Sequence, residues 1–409
     1  MEKIFPFIIE RWKLCTFVCF LCCMIPLFML NHGSIMTLRN PGISLISPNI
    51  SDTKLKILGV SYPIKDLKPV NVEENKCNLF DGKWVFDPEG SPMYDGAKCP
   101  FLGEQVSCQR NGRPDSDYQK WTWEPKGCQI PRHNIGKDML EKLRGKRMII
   151  VGDSLNRNQF ESMACLLYTG LKPSQAHVDV NGGSYKVLRA KAYNCSVEFY
   201  WSPFLVQLKE NKTNGHRILK LDQLSDSAKK WRGADIMVFN TGHWWAHHGK
   251  LQAWDYFQYK GQVMEKMAIE SALEMAMKTW ARWIDRTVNR TKTRVFFRSI
   301  SPSHKDKQWC HNVTKPNTDD SYMKSFPKHL TQIVERMGQE MKTPVTYLNI
   351  TKLSQYRRDA HPGIYRTKQG KYLIATHQKQ PQNLADCNHW CVPGLPDTWN
   401  RLIFASIPL

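Results

Sequence analysis

Two short motifs, more than two hundred residues apart, supply the three groups that together make a hydroxyl nucleophilic at neutral pH. Ser154 ends a Gly152-Asp153-Ser154 triplet, and His389 follows Asp386 by three residues. A serine attacks only when a base takes its proton, and an aspartate can fix the tautomer of that base. The pattern predicts serine-dependent acyl transfer, with Ser154 as nucleophile, His389 as base and Asp386 as the carboxylate that orients the base.

The residues around Ser154 are typical of a strand that leads into a helix. Residues 148–151 form a continuous apolar run, and apolar residues with helical spacing follow the triplet. A turn at this point exposes the Ser154 hydroxyl and directs the helix's free amides at a reacting carbonyl. Glycine at position 152 allows the close approach. Asn240 follows a second apolar run, residues 236–239, and we predict that its amide donates to the oxyanion.

The alternation of short apolar runs with helical spacing continues through the second half of the chain. Residues 295–297 and 345–350 are predicted as further strands, and residues 262–288 as one long helix. Strands that alternate with helices predict an α/β fold, with a parallel sheet covered on both faces. Active groups collect where such strands end, and Ser154 and Asn240 both come just after a strand end.

Each of these assignments has a structural alternative. Gly-Asp-Ser is also an ordinary turn in which the serine caps a helix, and Asn240 is also a common turn residue. His389 could be a structural histidine beside Trp390. Residues 359–361 offer a second acid–histidine pair, but side chains two residues apart in an extended loop point alike, which favours a structural role.

Aromatic and histidine side chains near the motifs could contact ligands. Trp244, Trp245 and Trp390 lie close to the proposed active loops, and because aromatic faces stack on sugar rings we predict a polysaccharide groove there. Tryptophan is at least as often a core residue. His243 and residues 247–248 are close in sequence, but no cysteine or carboxylate cluster accompanies them, and we predict no metal site.

The composition indicates a globular protein with a strongly basic surface. The 409 residues are 41% hydrophobic and 11% aromatic, which is enough to bury a large core. The net charge of +21 suggests attraction to polyanions or to an acidic membrane surface. Nucleic acid is the usual polyanion for such a charge, but the N-terminal segment argues against it, and we predict no nucleic-acid partner.

The N-terminal segment has the pattern of a signal anchor. The uncharged residues 14–30 follow a basic segment, residues 1–13, which predicts a cytosolic tail and a luminal remainder. No small-x-small cleavage site follows, which favours an uncleaved transmembrane anchor over a removed signal peptide or a buried core helix. Its seventeen residues suit the thinner membranes of the early secretory pathway. The proline-containing residues 31–75 are predicted as a stem.

Cysteines and glycosylation sequons agree with a luminal location. Nine cysteines follow the anchor, and since nine is odd, at most four intramolecular disulfides form. The nine cysteines are Cys77, Cys99, Cys108, Cys128, Cys165, Cys195, Cys310, Cys387 and Cys391. The Asn-x-Ser/Thr sequons are at Asn49, Asn194, Asn211, Asn289, Asn312 and Asn349. Together they indicate an oxidising, glycosylating lumen, and without a Cys-x-x-Cys pair outside the anchor a metal–thiolate site is a poor alternative.

From Cys77 the composition changes abruptly to cysteine, tryptophan, glycine and aspartate. Four cysteines fall within about fifty loop-rich residues. This density predicts a small disulfide-stapled module over residues 76–132. The catalytic domain would then occupy residues 133–409.

Three segments resemble the plant trichome-birefringence-like family. Residues 77–132 resemble its N-terminal module, Gly-Asp-Ser-Leu-Asn-Arg-Asn-Gln at 152–159 resembles its GDS block, and residues 386–400 resemble its C-terminal signature. The resemblance covers about residues 76–409. Val392 stands where the family usually has leucine, a change of packing that puts no catalytic role in doubt.

This resemblance implies a fold, a location and a set of catalytic residues. The fold is expected to be the three-layer α/β/α sandwich of GDSL/SGNH hydrolases. The location is expected to be the Golgi membrane, with a single type II span and a luminal catalytic domain. The resemblance implies that Ser154, Asp386 and His389 are the catalytic residues, the same three that the motifs predict. Cys195 is the unpaired thiol, the other eight cysteines are the disulfide candidates, and the remaining motif residues are Gly152, Asp153 and Arg157.

The activity that the resemblance implies is O-acetylation of plant cell-wall polysaccharides through an acetyl-serine intermediate. The acceptor would be xylan, mannan, xyloglucan or pectin, and the net charge of +21 tilts the choice toward an acidic polymer. The acetyl donor is a co-substrate rather than a bound cofactor, with acetyl-CoA as one candidate. The alternatives are a carbohydrate acetylesterase and a non-catalytic pectin-binding wall protein. No particular protein partner is predicted.

Overall fold

The computed structural model describes residues 77–407, apart from residues 91, 132–133, 182, 306–308 and 318–327. The predicted cytosolic tail (1–13), membrane anchor (14–30) and stem (31–75) lie outside the described residues, as does the sequon at Asn49. Within the part that is described, no helix is both long enough and apolar enough to cross a membrane.

The described chain alternates strands and helices. The strands are β1 (Asn78–Phe86), β2 (Trp121–Lys126), β3 (Arg147–Gly152), β4 (Ala176–Asn181), β5 (Tyr185–Ala190), β6 (Cys195–Trp201), β7 (Val206–Glu210), β8 (Arg217–Leu224), β9 (Ile236–Phe239), β10 (Tyr256–Tyr259), β11 (Gln262–Met264), β12 (Arg294–Arg298) and β13 (Val345–Leu348). The helices are α1 (Ile135–Lys142), α2 (Ser154–Tyr168), α3 (Ala228–Trp231), α4 (Ile269–Thr287), α5 (Lys328–Glu340), α6 (Thr351–Gln355), α7 (Gly370–Ala375), α8 (Pro381–Leu384) and α9 (Leu395–Ser406). Short 3₁₀ turns include Glu104–Val106, His243–Ala246 and Arg358–Ala360.

A seven-stranded sheet runs through the molecule in the order β13-β12-β9-β3-β6-β5-β4. Neighbouring strands from β13 to β6 are parallel, and β5 and β4 add an antiparallel edge. The strands predicted at 148–151, 236–239, 295–297 and 345–350 are β3, β9, β12 and β13. The predicted α/β sheet is therefore confirmed, although the sequence did not reveal its antiparallel edge.

Helices cover both faces of this sheet because its central strands are apolar on both sides. Met148 and Ile150 of β3 pack in one cluster with α2 and α9, whereas Ile149 and Val151 pack in a second cluster with α4 and α5. All four side chains are fully buried. Alternate residues of a strand point to opposite faces, so a continuous apolar run produces a helix–sheet–helix arrangement.

The helix predicted over residues 262–288 is wrong at its beginning. Gln262–Met264 form β11, which pairs with β10 across a two-residue turn at Lys260 and Gly261. Both turn residues have positive φ, 48° and 83°, as in the hairpin turns that suit the twist of paired strands. The helix α4 begins only at Ile269. With β8 and β7, this hairpin forms a separate four-stranded sheet that the sequence did not predict.

Disulfides join the N-terminal module to the rest of the described chain as well as to itself. Among the described residues there are four disulfides, Cys77–Cys128, Cys99–Cys165, Cys108–Cys391 and Cys310–Cys387. Only the first lies within the module, and it joins the ends of the β1–β2 pair. The second and third tie the module to α2 and to the loop around His389. Its buried side chains belong to the same apolar cluster as α2, because a module this small buries too little surface alone.

Cys195 is buried, whereas most of the sequon asparagines in the described residues are exposed. Cys195 is the free cysteine of the described residues, and burial raises the pKa of its thiol to about 11, so the thiol stays protonated and inert. Glycosylation of the sequons stays a prediction. Asn211 is half-buried, and the exposed asparagines are Asn194, Asn289, Asn312 and Asn349.

Candidate active site

Ser154 lies at the turn between β3 and α2, as its sequence context predicts. The strand ends at Gly152 and the helix begins at Ser154, which places the hydroxyl at the carboxyl end of a parallel strand. Asp153 is the N-cap of the helix, and its Oδ1 accepts from the backbone N–H of Leu155 at 2.9 Å. The alternative in which the serine caps the helix is therefore wrong, and the Ser154 hydroxyl is left for other contacts.

Close contact with Asn240 explains the glycine at position 152. Gly152 has a φ of +155°, and a β-carbon added there would lie 1.8 Å from Asn240 Oδ1. Asn240, just after β9, accepts from the backbone N–H of Asp153 at 3.2 Å and donates to its carboxylate at 3.0 Å. It thus braces the turn that presents Ser154. Its oxyanion role stays a prediction, since one of its two amide hydrogens is directed at Asp153.

Replacement of Gly152 by alanine should therefore disrupt the turn. The added methyl overlaps the amide oxygen of Asn240, so β9 or the turn must move. We expect a loss of about 2 to 4 kcal/mol in the free energy of unfolding, measured by urea denaturation, and loss of most esterase or transferase activity. Gly145→Ala is the matched control: its φ is also positive, 68°, but nothing lies within 4 Å of the added β-carbon. Equal losses in the two variants would contradict the role given to the Asn240 contact.

His389 and Asp386 form a continuous set of hydrogen bonds with Ser154. His389 Nε2 lies 2.7 Å from Ser154 Oγ, and His389 Nδ1 lies 2.8 Å from Asp386 Oδ2. The other carboxylate oxygen of Asp386 accepts from the backbone N–H groups of Asn388 and His389, each at 3.0 Å. The three-residue spacing lets one aspartate hold both the loop and the ring. It leaves Nε2 to take a proton from the serine.

The surroundings of Asp386 keep it ionised. Its carboxyl is only 6% exposed, and burial by itself raises the pKa. The charge of His389 and the hydrogen bonds from His389 and Asn388 outweigh burial and hold the pKa of Asp386 well below its usual range. Asp386 is therefore a carboxylate at neutral pH. It can stabilise the imidazolium that forms when His389 takes a proton.

The loop that carries His389 is anchored by disulfides and by the helix that carries the serine. Its two cysteines are bonded to Cys310 and Cys108. The backbone N–H of Trp390 donates to Asn158 Oδ1 at 2.8 Å, and Asn158 lies about one turn beyond the serine on α2. The helix that carries Ser154 also bonds to the loop that carries His389. These bonds therefore fix the distance between the nucleophile and the base.

A cavity of about 340 Å³ opens onto the Ser154 hydroxyl. Ser154 and His389 line it together with residues of the N-terminal module and residues just before and within β5. Its charged lining includes Arg157 and the ion pair of Lys186 with Glu161. The module thus forms one wall of the site.

Gln105 is a residue of this site that the sequence did not predict. It belongs to the turn Glu104–Val106 of the module; its Nε2 donates to Asp386 Oδ2 at 2.7 Å, and its Oε1 accepts from Arg157 Nη2 at 3.1 Å. No spacing within the module marks this glutamine. The contact lies close to the disulfide from Cys108 to the histidine loop, and sequence alone does not determine which cysteines pair.

The predicted stacking of sugars on Trp245 and Trp390 is wrong. Both side chains are fully buried, and their ring N–H groups donate to Thr241 Oγ1 and Ser301 Oγ, each at 2.8 Å. Buried indoles require such partners, so these two tryptophans are core residues. Trp244 is half-buried, packs edge-on against neighbouring aromatic rings and does not line the cavity at the serine. Its stacking role stays a prediction.

The other histidines near the motifs make structural contacts. His361, of the second acid–histidine pair, donates from Nδ1 to the carbonyl oxygen of His389 at 2.6 Å and stacks on Trp390, as its structural alternative predicted. His243 Nε2 lies 2.7 Å from the carbonyl oxygen of Ser301, and burial lowers the pKa of His243 to about 4. Across the described ranges, no three His, Cys, Asp or Glu side chains are grouped to hold a metal ion.

The sheet, its helices and the position of Ser154 define an α/β protein of the GDSL/SGNH class, and comparison with known families agrees. Residues 130–406 match the GDSL/SGNH-like acyl-esterase family found in Pmr5 and Cas1p. Residues 75–129 match the PMR5 N-terminal domain.

Comparison with individual proteins identifies the family more specifically. Trichome birefringence-like 1 of Arabidopsis thaliana is 43% identical over 356 residues, which is 83% of this chain and 63% of the relative. Trichome birefringence of the same plant is 41% identical over 81% of this chain and 56% of the relative, and trichome birefringence-like 3 is 40% identical over 82% and 80%. The chain thus spans less than two thirds of the first two relatives. It belongs to the trichome birefringence-like family, and the resemblance found in its sequence is confirmed.

Proposed function

We propose that this protein is an O-acetyltransferase that places acetyl groups on hydroxyls of plant cell-wall polysaccharides. The observation that carries the proposal is the unbroken contact from Asp386 through His389 to Ser154, with 2.8 Å and 2.7 Å between partners. Ser154 and His389 border a cavity that can admit an acyl group. Membership of an acyl-esterase-like family supports the same chemistry.

In the first half-reaction, Ser154 takes the acetyl group from a donor. As Oγ attacks the carbonyl carbon, its proton passes to His389 Nε2, and Asp386 stabilises the resulting imidazolium. The oxyanion forms beside the N-terminal end of α2, where free backbone amides carry partial positive charge. His389 then gives the proton to the leaving group of the donor, and an acetyl-serine remains.

In the second half-reaction, a sugar hydroxyl takes the acetyl group. The hydroxyl gives its proton to His389 and attacks the acetyl-serine, the ester bond to Ser154 breaks, and His389 returns the proton to Oγ. Water in place of the sugar would yield acetate, so the distinction between transferase and esterase depends on what fills the cavity. The module wall leaves about 340 Å³, which supports the exclusion of water by a bound glycan.

The proposed acceptor is xylan, mannan, xyloglucan or pectin. The net charge of +21 favours an acceptor that carries carboxylates. The two half-reactions use the chain's own residues, so the acetyl donor is a co-substrate, with acetyl-CoA as one candidate.

The location is also a proposal. Residues 14–30 would anchor the chain as a single-pass type II protein of the Golgi membrane, with Ser154 in the lumen. Four disulfides and the exposed sequons support a luminal environment, because such bonds persist in oxidising compartments.

Incubation of the full-length purified protein with an acetyl donor and deacetylated oligomers of the four polymers tests the activity. We expect mass spectrometry to detect an acetylated oligomer and NMR to locate the acetylated carbon. Because the net charge is +21, oligomers with acidic groups should react faster than neutral ones. Free acetate without any acetylated oligomer would identify an acetylesterase instead. Reaction of neutral oligomers alone would contradict the charge argument.

A non-catalytic pectin-binding protein is the alternative that the net charge favours. Turnover distinguishes it, and salt shows that the binding is electrostatic, because binding of a polyanion weakens steeply with ionic strength. Salt-sensitive binding of pectin oligomers, without acetyl transfer or ester hydrolysis, would support this alternative.

A further inference from the structure

Gln105 reaches the triad from the N-terminal module on a loop that is fixed to the histidine loop. The backbone N–H of Val392 donates to the carbonyl oxygen of Val106 at 2.9 Å. Two residues further along the module, Cys108 bonds to Cys391. The loop therefore cannot move relative to the histidine loop without breaking these bonds.

The neighbours of the Gln105 amide determine its direction. Its nitrogen faces the carboxylate of Asp386 at 2.7 Å, and its oxygen faces the guanidinium of Arg157 at 3.1 Å. A reversed amide would place oxygen against the carboxylate and N–H against the guanidinium, which are two repulsive contacts. Gln105 is thus a bridge from Asp386 to α2, where Arg157 follows Ser154 by three residues.

We propose that Gln105 is a positioning residue for acetyl transfer, which holds the Asp386 carboxylate against His389 and couples both to the helix that carries Ser154. The inference rests on the proposed function, since it requires this triad to be catalytic. Gln105 Nε2 and His389 Nδ1 lie 3.0 Å apart and converge on the same oxygen, Asp386 Oδ2. The glutamine therefore both orients the carboxylate and stabilises its negative charge through a hydrogen bond.

Loss of this donor should change the pH dependence of the reaction. With its charge less compensated, Asp386 favours the imidazolium form of His389 more strongly. Only the neutral ring can take the proton of Ser154, so the acidic limb of the rate profile moves to higher pH. The variants replace none of the other charged or titratable groups of the described chain that face the triad, which are Glu104, Arg157, Glu161, Lys186, His243 and His361.

The test compares Gln105→Met and Gln105→Glu with the wild type in hydrolysis of 4-nitrophenyl acetate, whose acetyl group passes to Ser154 as 4-nitrophenolate leaves. Methionine keeps the length without the amide, and glutamate keeps the shape and the acceptor for Arg157 but loses the donor. We expect kcat to fall about 10- to 100-fold, with KM changed by about twofold or less. The midpoint of the acidic limb should move to higher pH, by about 0.5 to 1 pH unit in Gln105→Met and by more in Gln105→Glu.

Gln109→Met is the matched control. Gln109 lies in the same loop, but it is exposed and its amide donates within the module, to the carbonyl oxygen of Asp115 at 2.8 Å. This variant should keep the wild-type kcat and the wild-type pH profile. Melting temperatures of all variants show whether they fold, and the glutamate variant, which matches glutamine in size, carries the test if the methionine variant does not fold.

Two results would overturn the inference. One is a wild-type kcat in both Gln105 variants, and the other is a reduced kcat with an unmoved acidic limb, which would mean a merely structural role. Ser154→Ala, assayed alongside, separates this from the proposed function. If Ser154→Ala is inactive and the Gln105 variants are normal, only the inference fails. If Ser154→Ala is active, the proposed function and the inference fail together.

Discussion

Replacing Ser154 by alanine should abolish acetyl transfer, lowering kcat by about 10⁴-fold or more, while the fold stays intact. Among the described residues that line the cavity, Ser154 alone carries a hydroxyl, so no neighbour can take over the acetyl group. Alanine is a good residue for the first turn of a helix, and Asp153 still caps α2 through Leu155. Mass spectrometry of glycan oligomers measures the transfer, and thermal unfolding checks the fold.

Ser162→Ala is the control on the same helix, and it should show the opposite pattern. Ser162 Oγ is buried; it donates to the carboxyl group of Asp397 and accepts from Asn400 Nδ2 at 2.8 Å. Burial raises the pKa of Asp397 to about 6, so this carboxyl depends on its donors. Loss of the hydroxyl should cost about 1 to 3 kcal/mol of unfolding free energy, with transfer retained. Wild-type transfer by Ser154→Ala would contradict the mechanism.

The turn at Ser154 could be predicted because the information that builds it is local. Residues 148–151 are apolar without interruption, which requires burial on both faces, and a parallel strand buried in this way ends where the next helix begins. Gly152 and Asp153 then supply the close approach and the helix cap. What the sequence could not show is the partner of that approach, since Asn240 comes from a different strand.

Trp390 shows where proximity in sequence misleads. It follows His389 directly, and the sequence placed both at the site. In the bend that follows Asp386, the ring of His389 is turned toward Ser154, whereas the indole of Trp390 is turned into the core and bonds to Ser301. The sequence identifies the loop, but only the fold determines which of its side chains face the cavity.

Gln105 lay beyond prediction for a different reason. Its contact with Asp386 joins residues 281 positions apart, on two segments with no shared periodicity. The nine cysteines that follow the predicted anchor allow many pairings, and the pairing of Cys108 with Cys391 joins this part of the module to the histidine loop. The resemblance to a family indicated that the module is present, but its contribution to the site follows from the disulfide connectivity.

The double variant Cys108→Ala/Cys391→Ala should therefore lose activity as well as stability. Replacing both cysteines removes the bridge without leaving a reactive thiol. We expect the free energy of unfolding, measured in urea, to fall by about 3 to 5 kcal/mol, because the bridge closes a long loop of chain. We expect kcat for acetyl transfer to fall about 100-fold at a temperature where the variant is still folded, because Gln105 and the histidine loop lose their common anchor.

The matched control is Cys77→Ala/Cys128→Ala, which removes the bridge at the ends of the β1–β2 pair. That bridge touches no residue of the triad, so its loss should cost about 2 to 4 kcal/mol of unfolding free energy while kcat stays within about twofold. Lower stability in both variants, with lower kcat only in the first, would show that the Cys108 bridge serves the geometry of the site and not folding alone. If kcat is unchanged in the Cys108→Ala/Cys391→Ala variant, the hydrogen bonds from Trp390 to Asn158 and from Val392 to Val106 suffice to hold the loop. In that case the bridge has no catalytic role.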